Sequence, residues 1–374
     1  MSKRILILSV TVGNGHMRAA EALKSAARDL DPGIETVILD TFRYASPFLD
    51  QAVLGLYLKM LKVSPFLYAF LYSQSEPDSR LAGWGKIAFD RIINLFTAPR
   101  LIRFIREFQP DVIVCTHPFP VAVATYIREK GHFSGPVFVT ITDFTIHYFW
   151  LAPGVDCYIV GAGALRSEGA AYGLPPERVQ PTGIPIDTAF AENFNRSELR
   201  AALDLAPDLP VILLTGGGLG LGHLETSVRT LSAIGGCQLL VIAGANEKLQ
   251  ERLNLLASEL TCPVRVHGFV NNIQHFMAAA DLLIGKPGGL TCAEAMATQL
   301  PVLMVDPLPG QEERNARFFT DVGAGVRVSR QDLAETVRRC LEDKETLAAM
   351  TGAAAALGKP NAARDAVRLI VDHK

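Results

Sequence analysis

The chain has 374 residues, longer than one comfortable hydrophobic core, so two domains are expected. Its 49% hydrophobic content excludes general disorder, and a formal net charge of −2 gives no electrostatic basis for binding nucleic acid. Six cysteines (Cys115, Cys157, Cys237, Cys262, Cys292 and Cys340) form no CxxC pair, and several sit in apolar runs such as VIVCTH. That usage fits reduced, buried thiols in a cytosolic protein. No stretch is long and charge-free enough to span a bilayer, so any work at a membrane is expected from its surface.

The first apolar run, RILILSV (4–10), is too short for a leader peptide and leads into a glycine turn, which marks a first β-strand. The turn, GNGHMRAA (13–20), opens a helix. Its glycines allow a tight bend, and a helix N-terminus offers N–H groups to an anion or hydroxyl. His16 lies in the first helical turn, where the helix dipole disfavours imidazolium. It is either a proton acceptor or a structural histidine. Arg18 stands where a dinucleotide fingerprint needs its third glycine, although Asp40, ending the strand at 35–40, leaves room for a ribose-binding acid. DLD (29–31) has the form of a metal-binding DxD but precedes Pro32, so it reads as a helix terminus.

Residues 42–73 break the strand–helix alternation. Their apolar stripe, which includes Phe48, Leu56 and Tyr57, is flanked by Lys59 and Lys62 and followed by Phe66. Two readings compete: helices packed on their own domain, or a patch that rests in a bilayer surface. Position between two strands of a Rossmann-like half favours the patch.

Further strands follow at 111–117, 136–143 and 156–162. They are continuous apolar runs, as in parallel sheets covered on both faces. TDFTIHYFW (142–150) leaves one of them, with Asp143 and His147 among Phe144, Tyr148, Phe149 and Trp150. An acid and an imidazole amid exposed aromatics could orient a hydroxyl on a greasy acceptor. They could equally be a core histidine with a satisfied acid.

The segment 182–210 carries prolines, acids and few strand formers, and is read as the interdomain linker. Strand–helix alternation then restarts, with strands at 210–217, 238–244, 264–270, 281–287 and 301–306. TGGGLGLGH (215–223) repeats the strand, glycine turn, helix arrangement. Amides around Gly216, Gly217 and Gly218 could cradle a diphosphate. The absence of GxxxxGK[ST] argues against a P-loop NTPase. In HGFVNNI (267–273) the backbone of Gly268, Phe269 and Val270 could read a base edge, with Asn271 or Asn272 capping a helix. GGLTCAE (288–294) follows a strand with Gly288 and Gly289, and puts Thr291 and Glu294 in the first turn of a helix. Glu294 could accept both hydroxyls of a ribose. PLPGQEERN (307–315) gathers Gln311, Glu312, Glu313, Arg314 and Asn315, as a sugar's hydroxyls require, or as a solvated helix start would. No zinc cluster and no GxSxG elbow occurs in the sequence.

Together GNGHMRAA, TDFTIHYFW, TGIPID, HGFVNNIQHFMAAADLLIGKPGGLTCAEA and PLPGQEERNA resemble the monogalactosyldiacylglycerol synthase and processive diacylglycerol glucosyltransferase group. That group is more distantly related to the N-acetylglucosaminyltransferase that forms lipid II. The resemblance runs in order over roughly residues 3–345. It implies a GT-B fold: an α/β chain of two Rossmann-like domains facing across a cleft. Residues 1–190 would bind the acceptor, 191–355 would bind the donor, and a helix in 356–374 would cross back to the first domain. It also implies an inverting, metal-independent transfer of a hexose from a UDP-sugar to the 3-hydroxyl of 1,2-diacylglycerol, with no cofactor. The enzyme would be peripheral, on the cytoplasmic side of the membrane. Gly216, Gly217 and Gly218 would hold the diphosphate, Phe269 and its neighbours uracil, Glu294 ribose, and Gln311 with Glu312 the hexose. His16 is the first choice of base and Asp143 the second, with His147 nearby. Glucose and galactose are equally compatible with the sequence. Two other functions stay open: another GT-B enzyme acting on UDP-N-acetylglucosamine (a transferase or an epimerase), and a non-catalytic nucleotide-sugar sensor.

Overall fold

The computed structural model describes residues 3–11, 14–45, 80–216 and 224–373, the side chains of 14, 80–89, 92 and 93 aside. The chain divides into two compact units. Unit 1 comprises Met1–Thr188, Pro309–Gln311 and Asn361–Lys374, and unit 2 comprises Ala189–Leu308 and Glu312–Pro360.

Unit 1 is built on a sheet of six parallel strands: β1 (Arg4–Ser9), β2 (Glu35–Asp40), β3 (Val112–Cys115), β4 (Val137–Thr140), β5 (Cys157–Ile159) and β6 (Val179–Gln180). Their spatial order is β2-β1-β3-β4-β5-β6. The connecting helices are α1 (Asn14–Leu30), α2 (Thr41–Ala45), α3 (Arg80–Phe108), α4 (Pro118–Glu129) and α5 (Leu165–Ala171). Successive strand residues serve opposite faces. Ile5, Ile7, Val112, Val114 and Phe138 join one core cluster, and Leu6, Leu8, Ile113, Cys115 and Val139 join the other. Both faces are buried, which is why these strands read as unbroken apolar runs. The cluster on the first face is completed by Ala20, Leu23, Ala26 and Ala27 of α1, and by Ala363, Ala366, Val367 and Ile370 of the last helix in the chain. Lys3 binds that helix's end, its Nζ donating to the carbonyls of Ile370 (3.0 Å) and Val371 (2.6 Å).

Unit 2 contains β7 (Val211–Thr215), β8 (Gln238–Ile242), β9 (Val264–His267), β10 (Leu282–Gly285), β11 (Val302–Val305) and β12 (Gly325–Val328). Its helices are α6 (Arg196–Ala202), α7 (Leu224–Ser232), α8 (Glu247–Ser258), α9 (Ile273–Ala279), α10 (Gly289–Ala297), α11 (Gln311–Asp321), α12 (Leu333–Glu342) and α13 (Lys344–Leu357). The remaining helix, α14 (Ala362–Asp372), is the one that packs in unit 1. The strand order β12-β11-β10-β7-β8-β9 is that of a doubly wound dinucleotide-type sheet, with its topological switch between β7 and β10. Asp281 ties α6 to this sheet: it accepts from Arg196 and Arg200, each at 2.6 Å, and from the Val211 amide at 2.7 Å.

All ten strands read from the sequence are present, most trimmed by one to three residues at an end. The segment read as a linker holds α6, whose Asn195 side chain caps the amides of Ser197 and Glu198. The apolar stripe at 42–73 falls mostly outside the described residues, and with it Phe48, Leu56, Tyr57, Lys59, Lys62 and Phe66.

Candidate active site

In unit 1 the strand order reverses between β1 and β3, and ligands of open parallel sheets bind at such a point, beyond the carboxyl ends of the strands. The chain leaving β1 enters α1 with His16 in its first turn, and the chain leaving β3 runs through Thr116 and His117 into α4. The two imidazoles meet edge to face, with ring centroids 4.4 Å apart. His16 Nδ1 lies 2.9 Å from the Thr116 carbonyl and 2.8 Å from Thr142 Oγ1. A carbonyl only accepts, so Nδ1 carries the ring proton and Nε2 holds the basic lone pair. Burial pushes the imidazolium of His16 down to about 4, against a smaller opposing pull from the Thr116 carbonyl. His16 is thus a neutral imidazole with a fixed tautomer, as a general base needs to be.

His117 has the complementary tautomer. Its Nδ1 accepts the Phe119 amide at 3.2 Å, capping α4 ahead of Pro118 in the first helical position, so Nε2 carries the proton. Burial holds it well below the ordinary histidine value, and His16 and His147 push the same way. Sequence reasoning passed over His117, Thr116 and the specific contact of Thr142. A histidine between a strand end and a Pro-initiated helix, in CTHPFP, was the available signal.

The 142–150 segment is not the exposed aromatic surface expected from sequence. Thr142, Asp143, Phe144 and His147 are all buried, and Trp150 is 0% exposed. The reason is that the segment packs into unit 1, where Ile146 and Trp150 belong to a core cluster. Trp150 is consequently no surface anchor. Its ring lies 6.2 Å from that of His16 and 5.8 Å from that of His147. Tyr148 is half-buried at the start of a short 3-10 turn, Tyr148–Trp150. Among the described residues no group of three His, Cys, Asp or Glu side chains is arranged to hold a metal ion. Asp40, the one acid suited to a dinucleotide ribose, accepts from the amide and hydroxyl of Thr11 and from the Arg43 amide, closing the β1–α1 turn.

In unit 2 the switch point lies at the ends of β7 and β10. The first turn begins at buried Gly216, while Gly217 and Gly218 lie outside the described residues. At Gly285 a Cβ would sit 3.0 Å from the Thr215 carbonyl, so glycine lets β10 and β7 close up where their turns diverge. Gly288 then serves as N-cap of α10 in extended backbone, and Gly289 is its first residue. Thr291 is therefore in the first turn, but Glu294 is a turn further in and only 3% exposed. The sequence reading put both in the first turn because it started the helix too late. Gly268, Phe269 and Val270 leave β9, and Phe269 is 62% exposed. Asn272, not Asn271, occupies the cap position of α9, with its side-chain amide 3.2 Å from His275 Nδ1.

The last loop, 306–311, is tied at several points. Asp306 and Gly310 take positive φ angles of 43° and 100°. Arg330 pairs with Asp306, and Arg327 pairs with Glu313 at 2.5 Å. Glu312 Oε2 accepts the Leu308 amide at 2.8 Å, bending the loop onto the start of α11. Asn315 is fully buried, and its Nδ2 donates to the Pro287 carbonyl at 3.0 Å. Gln311 is half-buried as the first residue of α11. Asn315 thus ties α11 to the KPGG turn within unit 2.

Two Rossmann-like units with glycine turns at their switch points define the GT-B class. Solved structures agree on the fold. MurG of Acinetobacter baumannii superposes with a TM-score of 0.62 at 15% identity, covering 99% of this chain and 100% of that one. HepE of Anabaena, solved with UDP-glucose, gives 0.56 at 16% identity, covering 98% and 99%. The family model for monogalactosyldiacylglycerol synthase matches residues 16–186, and that for the glycosyltransferase family 28 C-terminal domain matches 211–367. Processive diacylglycerol β-glucosyltransferases of Bacillus cytotoxicus and Bacillus subtilis are 31% and 32% identical to this chain. The alignments cover 99% and 92% of it, and 93% and 89% of the relatives. The chain belongs to this diacylglycerol glycosyltransferase family and is a UDP-sugar-dependent glycosyltransferase. Among the described residues no helix is long and apolar enough to cross a membrane.

Proposed function

We propose that this protein transfers a hexose from a UDP-sugar to the 3-hydroxyl of 1,2-diacylglycerol, with inversion at the anomeric carbon. The observation that carries the reading is the state of His16: neutral, partly buried, and fixed by the Thr116 carbonyl as the tautomer whose Nε2 can take a proton. Direct displacement needs one base for the acceptor hydroxyl and one means of stabilising the departing diphosphate. His16 is assigned the first task. The second falls to the glycine turn after β7 and the amino end of α10, where backbone amides and the helix dipole favour negative charge. Buried Glu294 is assigned to the ribose, exposed Phe269 and its neighbours to the base, and Gln311 to the hexose. The named activity of the Bacillus relatives makes glucose the expected sugar.

The acceptor is a membrane lipid, and α3 supports peripheral attachment from the cytoplasmic side. Among its described side chains, the exposed ones include Arg91, Arg100, Arg103, Arg106 and Glu107, with Asp90 half-buried. Leu95 and Phe96 are 71% and 54% exposed. Basic residues interleaved with exposed apolar ones suit an anionic bilayer surface.

The test combines purified protein, dioleoylglycerol in mixed micelles and either UDP-glucose or UDP-galactose, with lipid products separated and weighed. Hexosyl-diacylglycerol is expected, with glucose preferred. His16→Ala should lower turnover by about 10²-fold or more, the usual loss for a general base, while UDP binding by calorimetry is unchanged. Full turnover by that variant would move the base to Asp143.

A further inference from the structure

Building on the assignment of His16 as base, we propose that His117 is a positioning residue: its buried ring, locked by the Phe119 amide, shields one side of His16 from water and keeps it an uncharged proton acceptor.

Three observations carry this. The rings of His117 and His16 are in contact, 4.4 Å apart at 73°, so His117 occupies the space through which water would otherwise solvate His16. His117 is itself fixed, since its Nδ1 holds the first turn of α4 and Pro118 sets the backbone behind it. Its other face meets Phe119, with ring centroids 4.7 Å apart, so the ring has little freedom to turn away. The residue before it, Thr116, supplies the carbonyl that fixes the His16 tautomer. One short strand exit therefore fixes both the proton and the solvation of the base. The cap alone would not require a histidine, because asparagine or aspartate caps a helix as well or better. What histidine adds is a neutral, apolar-faced ring at the contact.

The titratable and charged groups on the elements around His16 are few. Nearest along the chain are His117 and Cys115 from β3 and its exit, Asp143, His147 and Tyr148 from the segment after β4, and Arg18 and Glu21 in the first two turns of α1, whose Lys24, Arg28 and Asp29 lie further along the helix. Burial is the largest influence on His16, so loss of the shielding ring should outweigh loss of any one neighbouring charge.

The experiment is the pH dependence of kcat/KM for wild type, His117→Asn and His16→Ala, with UDP-glucose and diacylglycerol. Asparagine keeps a capping oxygen and removes the ring. Wild type should hold its activity down to about pH 5. In His117→Asn the acidic limb should rise by one to two units toward the ordinary histidine value. Activity at pH 5, relative to its own plateau at pH 8, should then be about 2- to 10-fold lower than in wild type. A purely capping role would lower Tm or kcat without moving that limb, so superimposable profiles overturn the inference. If His16→Ala retains turnover, the assignment of the base fails instead. A second measurement needs no variant: nitrogen-15 spectra of histidine-labelled wild type at pH 5.5. They should show His16 as the neutral Nδ1–H tautomer and His117 as the neutral Nε2–H tautomer. A cationic His117, or one protonated at Nδ1, contradicts the proposal.

Discussion

The Thr116 carbonyl has no proton to give, so the proton between it and His16 belongs to the ring. That single constraint turns a histidine that sequence could equally read as structural into one with its basic nitrogen defined. Sequence did supply part of this: the residue type, the first helical turn and the dipole argument for neutrality were legible in GNGHMRAA. It could not supply Thr116, Thr142 and His117, because β3 lies next to β1 only through the strand order, and that order is not written in local periodicity. The buried imidazoles have a consequence for stability. In the folded chain His16 resists protonation until about pH 4, whereas an unfolded histidine accepts a proton near 6.5. Its contribution is whole above 6.5 and is lost as pH falls from there toward 4. The loss amounts to up to about 3 kcal/mol from this residue, and His117 acts in the same direction. Urea unfolding at pH 7.5 and pH 4.5 should show the decline, and His16→Asn should shrink the difference between the two.

Elements with long apolar runs were readable, and elements that depend on partners were not. Strands β6 and β12 were missed: Val179–Gln180 is two residues long, and Gly325–Val328 interrupts its apolar pattern with Arg327. The exposed aromatics expected at 142–150 turned out to be core for a related reason. Aromatic density marks either a surface patch or a packed interior, and only burial of Trp150 decides between them. The contact between α11 and the turn ahead of α10 shows how elements share one support. Asn315 of α11 holds the Pro287 carbonyl ahead of α10, tying α11 to that turn within unit 2. Asn315→Ala should leave that buried carbonyl without its donor, at a cost of about 1–3 kcal/mol. Thermal melting should register the loss. KM for the UDP-sugar should rise several-fold, with KM for diacylglycerol nearly constant. An unchanged donor KM would mean that the latch serves folding alone.

At the scale of the whole molecule, the proposed reading divides the chemistry between two doubly wound units: the histidines at the switch point of one would serve the acceptor, and the glycine turns at the switch point of the other the donor. The restart of strand–helix alternation near residue 208 made two units readable from sequence alone. The strand orders of the two sheets needed coordinates. The outward face of α3 belongs at this scale, because it matters only where the molecule meets lipid. Leu95→Glu combined with Phe96→Glu, both at exposed positions, should leave the unfolding free energy within about 1 kcal/mol of wild type. The pair should cut sedimentation with anionic vesicles several-fold without changing UDP binding. Equal vesicle binding by wild type and variant would remove α3 from the docking surface. The central claim, transfer from a UDP-sugar to a lipid alcohol with inversion, is tested most directly by the product of UDP-glucose and diacylglycerol, resolved by proton NMR at the anomeric carbon. The account predicts one β-linked glucosyl-diacylglycerol for each UDP released. An α-linked product, or UDP released with glucose left in water, would contradict it.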